Sequence, residues 1–132
     1  MYYRTREGEI SASDTYTSLS GLYGKSTTAS IQVPANVSRI VGCMVSTATD
    51  SASNAAATFA VQLSGDGLSQ GQETIVVGSQ GVDGTTVSNG ATNLPFSLDV
   101  AIPVVGSNQV SIAMAMDTDV GTASCAVTLV FA

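Results

Sequence analysis

Few side chains in this chain are of the types that perform catalysis, and the spacing of those few is not typical of an active site. The 132 residues include no His, and the two cysteines, Cys43 and Cys125, lie 82 positions apart. An activated thiol or hydroxyl usually needs an imidazole as its base, and a redox pair or zinc knuckle needs cysteines close together in sequence. We therefore expect two buried free thiols, with a disulfide between them as the alternative.

Two pairs of carboxylates have spacings that could hold a metal ion or move a proton. Asp117 and Asp119, followed by Gly121, resemble the start of a calcium loop, but the closing glutamate at the EF-hand spacing is missing. Glu7 and Glu9 would share one face of a strand, where paired carboxylates could serve acid–base chemistry. The simpler interpretation of Asp117 and Asp119 is a turn, and that of Glu7 and Glu9 is a pair of solvated side chains. We predict no catalytic residue, no metal site and no cofactor.

The distribution of charge excludes several classes of partner. The net charge is −6, and the only cations are Arg4, Arg6, Lys25 and Arg39. Nucleic-acid binding depends on several Lys or Arg side chains that neutralise phosphates, so we expect no nucleic-acid contact by residues 40–132. No apolar run reaches 18 residues, the length that spans a bilayer, and the N terminus lacks the apolar segment of a secretory signal. We expect no membrane insertion and no export signal.

Alternation of apolar and polar residues predicts β-strands along most of the chain. Residues 108–116 show it most clearly, because Val110, Ile112 and Met114 fall on one face and Ser111 and Ala113 on the other. Similar patterns predict eight strands, at about 4–12, 26–33, 38–47, 57–63, 72–78, 96–104, 108–116 and 125–131.

The segments between these strands are rich in residues that form turns. Ser64-Gly-Asp-Gly67 places a hydroxyl beside a carboxylate but has no base nearby, and it is typical of a turn. Pro103 indicates an edge position or a bulge for the strand that contains it. We expect an exposed loop at 79–93 and at most a short helical turn in the alanine-rich stretch 48–57. Eight short strands in one domain predict an all-β fold, an antiparallel β-sandwich and most specifically a single jelly roll.

Residues 1–25 differ in composition from the body of the chain, residues 26–132. All four tyrosines lie in residues 1–25, and Tyr is enriched at protein interfaces because it combines apolar area with a polar group. Two interpretations remain open: a first strand with a mobile tail, or an N-terminal arm that packs on another copy of the chain. The second predicts a subunit interface that includes Tyr2, Tyr3, Arg4, Arg6, Tyr16 and Tyr23.

The chain resembles the small single jelly-roll capsid proteins of icosahedral viruses. The resemblance rests on eight short strands, few charges, a polar and aromatic N-terminal segment, and loops rich in Gly, Ser, Thr and Asn. The resemblance implies a structural subunit rather than an enzyme, made in the host cytoplasm and located in the virion. Its partners would be other copies of itself and further virion proteins. Since the basic arm of many RNA-virus coat proteins is missing, the resemblance favours a shell around an internal membrane or a separately condensed genome, or a decorating position.

A carbohydrate-binding module, or an adhesin, pilus or surface-layer subunit, is the alternative function. Sugar stacking would require an exposed aromatic platform, and the body of the chain has only Phe59, Phe96 and Phe131, all in apolar positions.

The jelly-roll resemblance also predicts where the cysteines lie. In that fold, strands B to I form two sheets in the orders B-I-D-G and C-H-E-F. Cys43 falls in the third predicted strand and Cys125 in the eighth, which are either D and I or C and H. Both pairs are neighbours, so we predict adjacent strands, with both thiols pointing into the core.

Overall fold

The computed structural model describes residues 1–11, 15–49, 57–80, 96–116 and 122–132. Within these ranges the chain contains no helix and forms strands β1 (Tyr2–Ile10), β2 (Thr17–Ser18), β3 (Gly21–Leu22), β4 (Lys25–Ser26), β5 (Ser30–Gln32), β6 (Arg39–Thr49), β7 (Ala57–Ser64), β8 (Glu73–Gln80), β9 (Phe96–Pro103), β10 (Gln109–Met116) and β11 (Ala123–Phe131).

The strands form two antiparallel sheets that pack face to face. One sheet has the order β4-β3-β1-β11-β6-β9, and the other has the order β2-β10-β7-β8, with β5 also paired to β10. Strands β5 and β2 lie one after the other along β10, opposite residues 109–111 and 113–114 respectively. The predicted all-β antiparallel sandwich is confirmed.

The core lies between the sheets and consists of the apolar residues predicted by the alternation. In β10, Val110, Ile112 and Met114 are fully buried, whereas Ser111 and Ala113 on the opposite face are partly accessible. Among the side chains that the structure describes, Phe59 and Phe131 are the largest that are fully buried. Burial of each large apolar side chain contributes roughly 1.5–3 kcal/mol, which makes this layer the main source of stability.

Most predicted strands are present, but the N-terminal third of the chain differs. The strands predicted at 38–47, 57–63, 72–78, 96–104, 108–116 and 125–131 appear with ends within two residues, and the first strand covers 2–10 rather than 4–12. The strand predicted at 26–33 is reduced to β5, because Lys25–Ser26 pairs with β3 in the other sheet. The predicted helical turn and loop fall mainly on 50–56 and 81–93, outside the described residues, as does the Asp117–Gly121 turn.

Strand β9 lies at the end of the six-stranded sheet, as Pro103 predicted. Pro103 is its last residue and faces Arg39 of β6, and the pairing register shifts between Ile40 and Gly42. An edge strand can accommodate proline because the missing N–H is not needed by a further neighbour.

The N-terminal segment contributes directly to the sandwich. Strand β1 pairs with β11 along all nine of its residues and contacts β3 on its other side at Glu7. Ile10 and Leu19 are fully buried in the common core. Residues 1–25 and residues 26–132 therefore share one hydrophobic core.

The predicted turn at Ser64–Gly67 is held against the start of β10. The N–H of Gly67 donates to the carbonyl oxygen of Gln109 at 2.7 Å, and the N–H of Gln109 donates to Oδ1 of Asp66 at 2.9 Å. A Cβ at position 67 would lie 2.7 Å from the same carbonyl oxygen, so this close approach requires glycine. The carboxylate of this motif therefore helps to hold the turn against β10.

Candidate interaction surfaces

Arg6, one of the six predicted interface residues, connects the two sheets. It lies opposite the buried Val127 in the β1–β11 pairing, and directly opposed residues project from the same face of a sheet. From that inner face, its Nε donates to the carbonyl oxygen of Thr28 at 2.7 Å and its Nη2 to that of Ser30 at 3.0 Å. Arg6 therefore closes the sandwich between β1 and β5.

The arginines of β1 also occupy backbone acceptors along its exposed edge. Nη1 of Arg4 donates to the carbonyl oxygen of Tyr3 at 3.0 Å, and Nη1 of Arg6 donates to that of Thr5 at 2.8 Å. Among the described residues, the first five residues of β1 have no strand partner on the side away from β11. Guanidinium groups thus satisfy two carbonyls that a further strand would otherwise use.

The four predicted interface tyrosines are all accessible in the single chain. Tyr2, Tyr3 and Tyr16 are about half exposed, and Tyr23 is 85% exposed. The Tyr2 ring centroid lies 5.8 Å from Cζ of Arg4, within the range of a cation–π contact. Tyr23 adopts a left-handed backbone conformation in the turn between β3 and β4. Their role at a subunit interface stays a prediction.

Tyr16 borders a shallow apolar depression on the five-stranded sheet. The depression has a volume of about 340 Å³, and Val76, Ala60 and Ala115 contribute to its lining. The described residues that line it include no charged side chain. Val76 is 66% exposed, which is unusual for a large apolar residue in the middle of a strand. We call Tyr16, Ala60, Val76 and Ala115 the Val76 patch.

Val76 did not emerge from the sequence pattern as a surface residue. Strand β8 contains the run Ile75-Val76-Val77, in which three consecutive apolar residues must place at least one on the outer face. That break in alternation was the available signal, but the sequence does not reveal whether another element covers the face.

A larger groove of about 760 Å³ lies beside β1, and most of its lining residues are polar, including Glu7 and Glu9. Glu9 is exposed as expected, whereas Glu7 is half-buried and its Oε1 accepts a hydrogen bond from the N–H of Gly24. This contact fixes the β3–β4 turn to β1. Across the described part of the chain, no three metal-ligating side chains come together.

The two cysteines lie on adjacent strands and point into the core, which confirms the topological prediction. Cys43 in β6 faces Leu129, and Cys125 in β11 faces Thr47. The offset of four residues separates the two Cα atoms by about 13 Å at roughly 3.3 Å per residue, too far for a disulfide. Both are free thiols, and burial raises the pKa of Cys43 to about 11 and that of Cys125 to about 12.

Comparison of the chain with models of known families and with curated protein sequences finds no match. In the described ranges, no helix is long and apolar enough to cross a membrane.

Proposed function

We propose that this protein is a structural subunit that self-assembles into a closed shell, such as a virus capsid, and that its sandwich is a single jelly roll. The order of the strands in the two sheets carries the proposal. If β1, β5 and β6 are taken as jelly-roll strands B, C and D, and β7 to β11 as E to I, the observed orders β1-β11-β6-β9 and β5-β10-β7-β8 correspond to B-I-D-G and C-H-E-F. Each of the eight jelly-roll strands, B to I, has a counterpart in this correspondence.

The exposed side chains support an assembly role. Four tyrosines and Val76 present apolar area to solvent in the single chain. Aromatic residues are enriched where protein surfaces meet, since they bury a large area at low cost in conformational entropy. The partners that we propose are other copies of this chain and further virion proteins.

The charge distribution supports a position away from the genome. Residues 40–132 carry no cation, so this part of the sandwich has no group that would neutralise phosphates. We propose a shell subunit in the virion that encloses an internal membrane or a separately condensed genome, or that decorates such a shell. It neither inserts into the membrane nor acts as an enzyme.

Sedimentation velocity and negative-stain electron microscopy of the purified chain test this proposal. We expect large particles of uniform size whose fraction increases with protein concentration. A chain that stays monomeric at the highest soluble concentration contradicts the proposal. The alternative, a sugar-binding module, predicts a monomer or small oligomer that binds glycans, and the fully buried Phe59 and Phe131 offer it no stacking platform.

A further inference from the structure

The sheet edges of this molecule differ in how well they are protected against pairing with another chain. An unprotected edge strand offers a row of unpaired N–H and C=O groups, and proteins usually block it with short strands, charges or proline. Here β4, β2 and β5 are only two or three residues long, and β9 carries Asp99 and ends at Pro103. The open part of β1 is covered by Arg4 and Arg6.

Strand β8 lacks these protections. It is eight residues long, has no proline or cation, and carries a single charge on its first residue, Glu73. Among the described residues, no strand pairs with it on the side away from β7. Its pairing with β7 is regular over Glu73–Val77, because the register shift comes only after Val77. Within the described ranges, a regular, extended and nearly uncharged edge is therefore open over five residues.

The exposed face of β8 adds apolar area next to this edge. Thr74 and Val76 face outward and are exposed, whereas Ile75 faces inward and packs against the core. The Val76 patch continues from the edge across β7 to Ala115 of β10. An incoming strand would gain backbone hydrogen bonds from the edge and side-chain contact from Val76.

We propose that β8 pairs antiparallel with β8 of a second copy of this chain, over Glu73–Val77 and centred on Ile75, so that one continuous sheet spans two subunits. This inference rests on the proposed function, since it names the contact through which the copies assemble. The centre at Ile75 follows from the regular segment, because this register alone pairs all five residues with one another.

The side chains fit a second copy in this register. Ile75 meets the Ile75 of the second copy on the inner side, and each Val76 meets a Thr74 on the outer side. A parallel arrangement in register would place Glu73 beside Glu73, whereas the antiparallel one separates them by about 13 Å along the strand. That distance exceeds the Debye length of about 8 Å at physiological ionic strength, so their repulsion is largely screened.

Val76→Lys tests the edge, with Gln32→Lys as its matched control. Both residues are exposed and belong to strands of the same sheet, but Gln32 lies on β5 at the opposite side. We expect Val76→Lys to raise the concentration for half-maximal association at least tenfold, and Gln32→Lys to leave it within twofold. Both variants should have the melting temperature of the unmodified chain, which would show that any loss of association does not result from unfolding.

Sedimentation velocity separates the two ways in which the inference could fail. If the unmodified chain never associates, the proposed function and this contact fail together. If it associates and Val76→Lys associates equally well, the contact through β8 is wrong and the proposed function stands.

Disulfide trapping tests the register directly. Thr74→Cys and Val76→Cys copies, mixed in equal amounts and oxidised under associating conditions, should form a disulfide between copies within the assembled fraction. A mixture of Gln32→Cys with Val76→Cys serves as the control, and the native Cys43 and Cys125 are buried. Cross-linking of the first mixture no greater than that of the control overturns the proposed pairing.

Discussion

Arg6 and Ser30 lie on opposite sheets, and Nη2 of Arg6 donates a 3.0 Å hydrogen bond to the carbonyl oxygen of Ser30. The same guanidinium donates from Nε to the carbonyl oxygen of Thr28. Next to Arg6, the second sheet ends in the three-residue strand β5. The charged side chain of Arg6 therefore joins the sheets where an apolar one could not, because its N–H groups bind backbone carbonyl oxygens that no neighbouring strand uses.

Arg6→Ala should destabilise the fold. It removes the hydrogen bonds to Thr28 and Ser30, and we expect a loss of about 1–2 kcal/mol because the group is only partly buried. Arg4→Ala is the control, since Arg4 is exposed and contacts the backbone of its neighbour; it should change the free energy of unfolding by less than about 0.5 kcal/mol. Urea denaturation measures both, and equal effects would show that Arg6 does not join the sheets.

Gly67→Ala should cost more stability than Gly24→Ala. A Cβ at position 67 would meet backbone atoms of Gln109 at 2.7 and 2.8 Å, and the backbone there has little freedom to move. Gly24 has a φ of +74° but nothing within 4 Å, so alanine meets only backbone strain, about 1–2 kcal/mol. Thermal denaturation should show a lower midpoint for Gly67→Ala. The reverse order would mean that the turn can move away from β10.

Both thiols should resist modification in the folded protein. Burial keeps Cys43 and Cys125 protonated near neutral pH, and the thiolate is the reactive form. We expect slow reaction with iodoacetamide at pH 8 in the native state and rapid labelling of both residues in urea, as read by mass spectrometry. Rapid labelling of either residue without denaturant would contradict its placement in the core.

Stability should decline at high pH partly because of these cysteines. Their pKa values rise from 9.0 to about 11 and about 12 on folding, so their contribution is complete below about pH 9. Above that pH the unfolded chain releases thiol protons that the folded chain retains, and stability falls as the pH approaches 11–12. The Cys43→Ala/Cys125→Ala double variant should show a shallower decline in melting temperature between pH 9 and 11. An identical slope would contradict this linkage.

Tyr16→Ala and Tyr23→Ala should reduce association while leaving the fold unchanged. Tyr16 is 40% exposed and borders the Val76 patch, and Tyr23 is 85% exposed in a turn. Truncation removes contact area from an interface but little from the core, so melting temperatures should stay within a few degrees. We expect Tyr16→Ala to have the larger effect, because it adjoins the proposed β8 contact. Unchanged sedimentation of both variants would remove them from the interface.

Shortening the chain at its N terminus is a poor test of assembly. A deletion of residues 1–12 would remove β1, which pairs with β11 along nine residues, together with the buried Ile10. Such a chain would lose stability and association at once. Single substitutions of the exposed tyrosines separate the two effects.

Local alternation in the sequence was sufficient to predict the long strands and their inner faces. In β10, Val110, Ile112 and Met114 could be assigned to the core because side chains alternate along a strand with a period of two. The same rule, combined with the strand order that the jelly-roll resemblance implies, predicted Cys43 and Cys125 on neighbouring strands. The two-residue strands β2, β3 and β4 are too short to show a period, and they could not be predicted in this way.

Tertiary structure decided which strands lie inside a sheet and which lie at an edge. The sequence predicts Arg6 at a subunit interface, yet residues 22 and 24 positions away in the same chain supply carbonyls that it binds. Val76 reads as one more apolar strand residue, yet it is exposed because no described strand lies beyond β8. Both outcomes depend on contacts between residues distant in sequence, and a period of two carries information only about the next few residues.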